Sequence, residues 1–271
     1  MCFTAIIKAM RGNLGKKGLG AVWSTLPFIP KNPHGFGVRV DDNEPLRTLN
    51  PEEAKSFLLQ ISPDAQRVHL HYRLASTGEV SVGNVHLWTR DGWSFSHNGM
   101  ASGGSKEKSD SLELFESIEE WTFDSFVKAI SKKGHWGVYL ATGPDGEEFL
   151  ASQGKTLKVM VADNIFVAAS DEFEIRKFVE MEMPETIEIW GLKFTRTRKV
   201  RVRTVPLMPW RAEIENMAIH IKGSKLVEKA PIERPVTYSN GYRYPYYYFG
   251  KGSLFFHPSG GVCYHSVGKG L

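Results

Sequence analysis

Hydrophobic residues alternate with polar ones over short segments through the first hundred residues. These segments are rich in β-branched and aromatic residues and are bounded by Gly, Asn, Asp or Pro: CFTAII, GFGVRV, RVHLHYRLA, EVSVGNVHLW and WSFSHNG. A second group of similar segments comprises HWGVYLAT, EEFLAS, TLKVMV and NIFVAAS, with the turn GPDG joining its first two members. The pattern predicts two groups of antiparallel strands.

Three other segments carry the signals of helices. In LNPEEAKSFLLQI, Asn50 can cap a helix whose first residue is Pro51. In WTFDSFVKAISKKG, Thr122 can cap a helix with one apolar face, and a third helix is predicted after Ser170 in SDEFEIRKFVEM. Each sheet must bury one face against another layer. We therefore predict an α+β fold, a four-layer αββα sandwich of two antiparallel sheets flanked by helices.

The chain changes character after about residue 205, which predicts two parts. Residues 1–205 are expected to form one domain, and residues 206–271 an aromatic-rich C-terminal extension packed on it. Six tyrosines lie in this extension beside Arg243 and Lys251: Tyr238, Tyr242, Tyr244, Tyr246, Tyr247 and Tyr248. They suit either base stacking on nucleic acid or packing of a hairpin, and we favour packing.

The net charge of +4 is mild, but one segment, KFTRTRKVRVR, is strongly basic. As a strand it would place arginines along one face, where phosphate or nucleic acid could bind. Charge that protects a solvated strand edge explains the same pattern, and we favour that interpretation. A nucleic-acid partner remains an open alternative.

Composition bears on where the protein works. With 41% hydrophobic residues and no long apolar run, we expect no contact with a membrane. The apolar stretch 3–7 has no basic region before it and no cleavage site after it, so we expect no signal peptide. The two cysteines, Cys2 and Cys263, form no disulfide framework. We therefore expect free thiols and a cytoplasmic protein.

A His-x-His pair raises the question of a metal site. Strand alternation places His69, His71 and Arg73 on one face, and His86 or His97 could add ligands. However, no carboxylate stands at ligand spacing, and the arginine would repel a cation. We expect no metal.

Several short motifs, separate in sequence, form a recognisable series. In chain order they are MC, HGFGVRV, HYRLAS, GNVHLW, FSHNG and SDS, followed by the strand pairs GVYLAT, EEFLAS and TLKVMVADNIFVAAS. Together they resemble the class II glutamine amidotransferases, which are N-terminal-nucleophile hydrolases. The resemblance covers residues 2–205 and implies the same four-layer fold and a glutaminase activity.

The resemblance implies a catalytic role for three residues. Removal of Met1 would make Cys2 an N-terminal nucleophile, whose α-amine could accept the thiol proton because such amines titrate at about 7.7 to 8.0. The side-chain amide of Asn98 and the backbone N–H of Gly99 would bind the oxyanion. Taken alone, Asn98 and Gly99 also suit a plain hairpin turn.

It also implies a set of substrate-binding residues. Arg73 would grip the α-carboxylate of glutamine and Asp110 its α-ammonium group. Ser76, His71 and His86 occupy neighbouring positions of the motifs, as do Thr77 and Asn84 in a supporting role. Without the resemblance, Arg73 suits a surface ion pair and Asp110 the cap of a helix that begins near Ser111. The chain departs from the family pattern at Leu74, where a large aromatic residue is usual, and at Ser76, where a threonine is usual.

These observations leave three hypotheses of function. Residues 206–271 contain no phosphate-cradling glycine-rich loop, so we expect no cofactor and an ammonia-accepting synthase on a separate chain. The first hypothesis is a glutaminase with glutamine as substrate that supplies ammonia to this partner. The second is a hydrolase of another γ-glutamyl amide, and the third is an inactive binding or assembly protein with the same fold.

Overall fold

The computed structural model describes residues 2–173 and 211–232 with their side chains. It also describes the backbone of residues 176–178, 183–189, 192–198, 204–206, 210, 254–256 and 262–264. The chain forms two compact units, residues 1–235 and residues 236–271. The tyrosine cluster at 238–248 and the side chains of the basic segment at 193–203 lie outside the described residues.

Strands dominate the described secondary structure. The first ten are β1 (Phe3–Ala9), β2 (Phe36–Val40), β3 (Leu46–Thr48), β4 (Arg67–Tyr72), β5 (Trp88–Arg90), β6 (Trp93–Ala101), β7 (Gly134–Thr142), β8 (Glu147–Gln153), β9 (Leu157–Ala162) and β10 (Ile165–Ala169). They are followed by β11 (Arg176–Phe178), β12 (Met183–Ile189), β13 (Leu192–Arg198), β14 (Thr204–Pro206), β15 (Trp210–Ile214), β16 (Met217–Lys222), β17 (Lys225–Pro231), β18 (Leu254–Phe256) and β19 (Val262–Tyr264). The described α-helices are α1 (Gly15–Trp23), α2 (Pro51–Leu59), α3 (Asp110–Glu116) and α4 (Phe123–Lys133).

Two large antiparallel sheets form the body of the first unit. The seven-stranded sheet has the order β15-β9-β10-β1-β4-β2-β3, and the six-stranded sheet has the order β17-β16-β8-β7-β6-β5. Residues beyond 205 thus add strands to both sheets, since β15 pairs with β9 and β16 pairs with β8. The domain boundary that the sequence places at residue 205 stays a prediction.

Three apolar clusters define the layers. One lies between the seven-stranded sheet and helices α1 and α2, and includes Phe3, Leu19, Val22, Leu58 and Leu70. Another lies between the six-stranded sheet and helices α3 and α4, and includes Phe95, Leu114, Phe126, Ile130 and Tyr139. The third fills the space between the sheets with Ile6, Val138, Leu140, Leu150 and Ala168. The predicted four-layer αββα sandwich is therefore confirmed. No helix among the described residues is long and apolar enough to span a membrane.

The capping residues of two helices act as the sequence predicts. Asn50 Oδ1 accepts hydrogen bonds from the backbone N–H groups of Glu52 (3.0 Å) and Glu53 (3.4 Å) at the start of α2. Thr122 Oγ1 accepts one from the N–H of Ser125 at 3.2 Å and starts α4. Both predicted helices are confirmed.

Two predicted elements are wrong. In EVSVGNVHLW only the last residue, Trp88, lies in a strand, β5, and Val82–Asn84 form a 3₁₀ turn. Asn84 Nδ2 donates to the carbonyl groups of Glu79 (3.2 Å) and Glu107 (2.6 Å), which fixes this segment as a loop. The helix expected after Ser170 is absent over Arg176–Phe178, which instead pair with β14 and therefore place their hydrogen bonds in a sheet.

A buried ion pair lies between the sheets at the end of β1 remote from Cys2. Lys8 Nζ is 2.5 Å from Glu148 Oε2 and also donates to the Gly223 carbonyl at 2.7 Å, while Arg67 Nη1 is 3.8 Å from Glu148 Oε1. Burial raises the pKa of Glu148, and Lys8 opposes this effect. A cavity of about 200 Å³ borders these three side chains. Its distance from Cys2 is roughly 20 Å along the strand.

We expect Glu148→Gln to lower the free energy of unfolding by about 2 kcal/mol, because it leaves the Lys8 ammonium without its charged partner. The adjoining cavity lets water reach the orphaned charge, which limits the cost. Urea unfolding measures the effect. The control is the double variant Lys8→Met/Glu148→Leu, which should recover most of the loss. A loss no smaller in the double variant would contradict the assignment of the cost to the unpaired lysine.

Candidate active site

The register of β1 and β4 places Cys2 next to Arg73. Phe3 is opposite Tyr72 and Thr4 is opposite His71, so the next pair in the same register is Cys2 and Arg73. Side chains alternate between the two faces of a strand. Because Phe3 and Tyr72 pack on the outer helices, Cys2 and Arg73 face the six-stranded sheet.

The Cys2 thiol contacts the backbone that follows β4. Its Sγ accepts a hydrogen bond from the N–H of Leu74 at 3.2 Å and lies 3.4 Å from the Leu74 carbonyl, to which the S–H can donate. Burial raises the pKa of the Cys2 thiol, while the Leu74 N–H and the cationic side chains of Arg73 and Lys155 lower it. The protonated thiol therefore predominates at neutral pH, and a nucleophilic reaction needs a base.

Asn98 reaches Cys2 from the six-stranded sheet. It lies on β6 with its side chain 1% exposed. Its Nδ2 donates to the Cys2 carbonyl at 2.5 Å and to Ser170 Oγ at 2.8 Å. An amide NH₂ has two hydrogens, so both are engaged in this structure. Asn98 thereby joins β6, β1 and the end of β10 at one point.

Gly99 stands where the neighbouring strand β7 leaves no room for a side chain. It is paired with Gly137 in β7, and a Cβ at this position would clash with the Trp136 carbonyl and with the Cα of Gly137. The backbone N–H of His97 points away from β7 to His86 Nδ1 at 3.2 Å. Strand alternation therefore directs the Gly99 N–H to the same open edge of β6. A backbone donor thus stands beside Asn98 on this edge.

Arg73 is held by carbonyl groups of the loop that follows β4. The residue is 2% exposed, and its guanidinium donates from Nη1 to the Glu79 carbonyl (2.9 Å) and from Nη2 to the carbonyls of Thr77 (2.8 Å) and Gly78 (3.2 Å). Burial lowers the pKa of Arg73, and the Cys2 and Asp110 side chains oppose this shift. Of the five N–H donors of an arginine, these bonds use three.

Asp110 is joined to Arg73 through Thr77. Asp110 Oδ1 accepts from Thr77 Oγ1 (2.8 Å) and from the N–H of Ser111 (2.8 Å), and Oδ2 accepts from the N–H of Ala101 (2.8 Å). The cap of α3 is Ser109, whose Oγ accepts from the Leu112 N–H, and Asp110 is the first helical residue. The structure thus brings the expected carboxylate and guanidinium into one network.

The other three expected substrate-binding residues differ in their placement. Ser76 is exposed in the loop after β4. The buried rings of His71 and His86 stack with centroids 3.6 Å apart, and the His86 ring also contacts Trp88 at a tilted angle. Burial lowers the pKa of both histidines well below 6.5, so both rings are neutral. Substrate contact by these three residues stays a prediction.

A second histidine environment lies deeper between the sheets. His69 Nε2 is 2.7 Å from Ser96 Oγ, and its Nδ1 is within 3.2 Å of Ser94 Oγ and Thr142 Oγ1. Hydroxyl groups, rather than carboxylates, therefore surround this ring. Within residues 2–173 and 211–232, no group of three or more His, Cys, Asp or Glu side chains is arranged to hold a metal ion.

Sequence reasoning missed three residues next to the site. Ser170 Oγ accepts from the N–H of Thr4 at 3.2 Å as well as from Asn98, and it donates to Asp171 Oδ2 at 2.9 Å. Lys155 Nζ lies 3.9 Å from the same carboxylate oxygen. The segment SDE carries a usable signal, because a polar pair directly after a buried strand indicates the end of a sheet strand as well as the start of a helix.

Comparison with solved structures identifies a similar fold. The glutamine phosphoribosylpyrophosphate amidotransferase of B. subtilis, solved with ADP and GMP, matches with a TM-score of 0.52 and 14% sequence identity. The match covers 87% of this chain and 50% of that chain, so this chain spans about half the length of the neighbour. No protein-family model and no curated protein matches the sequence. The chain thus shares its four-layer fold with that structure.

Proposed function

We propose that this chain is a class II glutamine amidotransferase-like glutaminase, in which Cys2 releases ammonia from glutamine. The observation that carries the proposal is the meeting of three distant segments at one residue. The Leu74 N–H contacts the Cys2 sulfur, and the Asn98 amide contacts the Cys2 carbonyl. Arg73 and Asp110, linked by Thr77, supply opposite charges beside this point. These are the parts that hydrolysis of a zwitterionic amide needs.

The proposed reaction begins with removal of the residue that precedes Cys2. The freed α-amine takes the thiol proton, and the thiolate sulfur forms a bond with the amide carbon of glutamine. The tetrahedral oxyanion collapses, the C–N bond breaks, and the nitrogen leaves as ammonia with the proton from the amine. Water then hydrolyses the thioester and yields glutamate and the free thiol. The sum is glutamine plus water giving glutamate plus ammonia.

The proposed oxyanion donors are Asn98 Nδ2 and the Gly99 N–H. Since both Asn98 hydrogens are engaged, one bond has to be exchanged. We propose that the bond to the Cys2 carbonyl is given up, because that carbonyl lies next to the reacting sulfur, while the bond to Ser170 keeps the amide in place. The Gly99 N–H already points to the open edge of β6.

The proposed substrate clamp uses the groups that remain available on Arg73 and Asp110. The loop carbonyls engage three of the arginine N–H donors, which leaves two for the α-carboxylate. Asp110 Oδ2 accepts a single described hydrogen bond, from Ala101, and retains a lone pair for the α-ammonium group. The rest of the proposal is an acceptor synthase on another chain, which the resemblance implies, and a cytoplasmic location, which the low cysteine content supports.

A glutamine analogue with a diazoketone in place of the amide tests the proposal. We expect one covalent adduct, mapped to a peptide that begins at Cys2 with no preceding residue, together with ammonia release from glutamine. Cys2→Ser should abolish the adduct, whereas the matched Cys263→Ser variant should retain it. Release of an amine from other γ-glutamyl amides, but not of ammonia from glutamine, would favour the second hypothesis. An adduct on Cys263, or a retained Met1 with no adduct, would contradict the proposal.

A further inference from the structure

Lys155 is a buried lysine that the proposed reaction leaves without a role. It lies in the turn between β8 and β9, and its side chain is 9% exposed. Its Nζ lies 5.3 Å from the centroid of the Trp136 ring and 3.9 Å from Asp171 Oδ2. Burial lowers the pKa of Lys155, while the Asp171 and Cys2 side chains raise it. Taking an ammonium group out of water is costly. Such a cation beside a nucleophile is therefore a candidate for function.

A continuous set of polar contacts leads from Lys155 to the nucleophile. The Lys155 ammonium group lies beside the Asp171 carboxylate. Asp171 Oδ2 accepts a hydrogen bond from Ser170 Oγ at 2.9 Å. Ser170 Oγ accepts from Asn98 at 2.8 Å, and Asn98 donates to the Cys2 carbonyl at 2.5 Å. Four contacts thus connect a side chain in the β8–β9 turn with Cys2.

The hydrogen-bond capacity of the Ser170 hydroxyl determines which group donates and which accepts in this set of contacts. A serine hydroxyl has one donor and two acceptor sites. Here the donor goes to Asp171, and the acceptors receive the N–H of Thr4 and the amide of Asn98. The Ser170 oxygen presents its acceptor sites to Asn98 only while the Ser170 hydroxyl donates its hydrogen bond to Asp171. Asp171 is 38% exposed, so without a cation beside it the carboxylate is free to turn to solvent.

We propose that Lys155 is a positioning residue for the nucleophile: it fixes Asp171, and through Ser170 it holds Asn98 against Cys2. This inference rests on the proposed glutaminase function and extends it to a residue outside the family motifs quoted above. Because Lys155 is also a cation near the sulfur, it stabilises the thiolate. Its removal therefore acts on both the oxyanion donor and the nucleophile.

The charged and titratable groups around Cys2 determine how the thiol titrates. Arg73 follows β4, Lys155 precedes β9, Asp171 follows β10, and His97 on β6 is neutral because burial lowers its pKa to about 4. Asp110 at the start of α3 lies behind Arg73. The terminal α-amine, two side-chain cations and a carboxylate thus surround the thiol, and loss of Lys155 shifts the balance toward the neutral thiol.

The test compares Lys155→Met with Lys155→Arg in the full chain. For Lys155→Met we expect kcat for glutamine to fall about tenfold with KM nearly unchanged, and Cys2 alkylation by iodoacetamide at pH 7 to slow by a similar factor. Lys155→Arg keeps the charge and should stay within about threefold of the wild type. The double variant Lys155→Met/Ser170→Ala should lose less kcat than the product of the two single losses, because the positioning effect of Lys155 passes through Ser170 while its charge acts on the sulfur directly.

A matched control and a second measurement keep the inference separate from the proposed function. Lys8→Met removes the buried lysine at the far end of β1, so it should lower stability and leave the alkylation rate unchanged. If the wild type releases no ammonia and forms no adduct, the function has failed, but alkylation of Lys155→Met still decides the role of Lys155. Alkylation at the wild-type rate, or additive losses in the double variant, would overturn the inference.

Discussion

Replacement of Asn98 by alanine is expected to lower kcat for glutamine hydrolysis by about 10²- to 10³-fold, with little change in KM. The amide contacts the Cys2 backbone and none of the groups proposed to clamp the substrate, so its loss removes stabilisation of the transition state rather than substrate affinity. Steady-state kinetics of ammonia release measures the effect. Alkylation of Cys2 in the same variant reports whether the thiol remains accessible.

Asn32→Ala is the matched control for Asn98→Ala. Asn32 is as deeply buried, at 2% exposure against 1%, and donates to the Phe28 carbonyl at 2.9 Å in the segment before β2. Both variants lose a buried amide and should lose similar stability, about 1 to 2 kcal/mol. Only Asn98→Ala should lose kcat. Equal kcat in the two variants would exclude Asn98 as an oxyanion donor, and a rise in KM alone would assign it to substrate binding.

The approach of Cys2 and Asn98 illustrates what the sequence can predict about this site. The order of MC, HYRLAS, FSHNG and SDS identifies the residues, because the series resembles that of the class II glutamine amidotransferases. The register of β1 and β4 then follows from strand pairing. However, the contact between Cys2 and Asn98 joins two different sheets, and the separation of those sheets depends on the packing of the whole interior. Periodicity along one strand contains no such information.

Lys155 and Ser170 were missed for a related reason. Ser170 ends a segment that predicts only a strand, and its partner Asn98 is 72 positions away, while Lys155 lies outside the quoted segments. A lysine after a glycine in a β-turn ordinarily indicates a solvated turn. It is buried here because the Trp136 ring and the Asp171 carboxylate cover it, and both come from other strands or their ends.

The fold was predictable where capping residues are local. Asn50 and Thr122 act within three residues of their helices, so the sequence alone identifies α2 and α4. Helix α1 has no such signal: its N-cap is Leu14, without a side-chain hydrogen bond, and glycines lower its intrinsic propensity. It forms because Leu19 and Val22 pack against the outer face of the seven-stranded sheet. Tertiary burial therefore overrides local preference there.

Acidification is expected to destabilise the protein strongly between pH 7 and pH 5.5, by about 4 kcal/mol. Four buried histidines, His69, His71, His86 and His97, have pKa values lowered by burial, that of His97 to about 4. In the unfolded chain they titrate near 6.5. Below that pH the unfolded state binds more protons than the folded state, so stability present above pH 6.5 is lost as the pH falls toward the folded pKa values. Each histidine contributes at most about 1.4 kcal/mol per pH unit.

Urea unfolding at a series of pH values measures this dependence. Replacement of His69 by glutamine, which can still bond to the hydroxyl groups of Ser94 and Ser96, should remove about one quarter of the slope. A free energy of unfolding that stays constant from pH 7 to pH 5.5 would mean that the four rings are reached by solvent or already charged. That result would also contradict the assignment of neutral rings to His71 and His86. His86 accepts a hydrogen bond from the His97 N–H on the same edge of β6 as the Gly99 N–H.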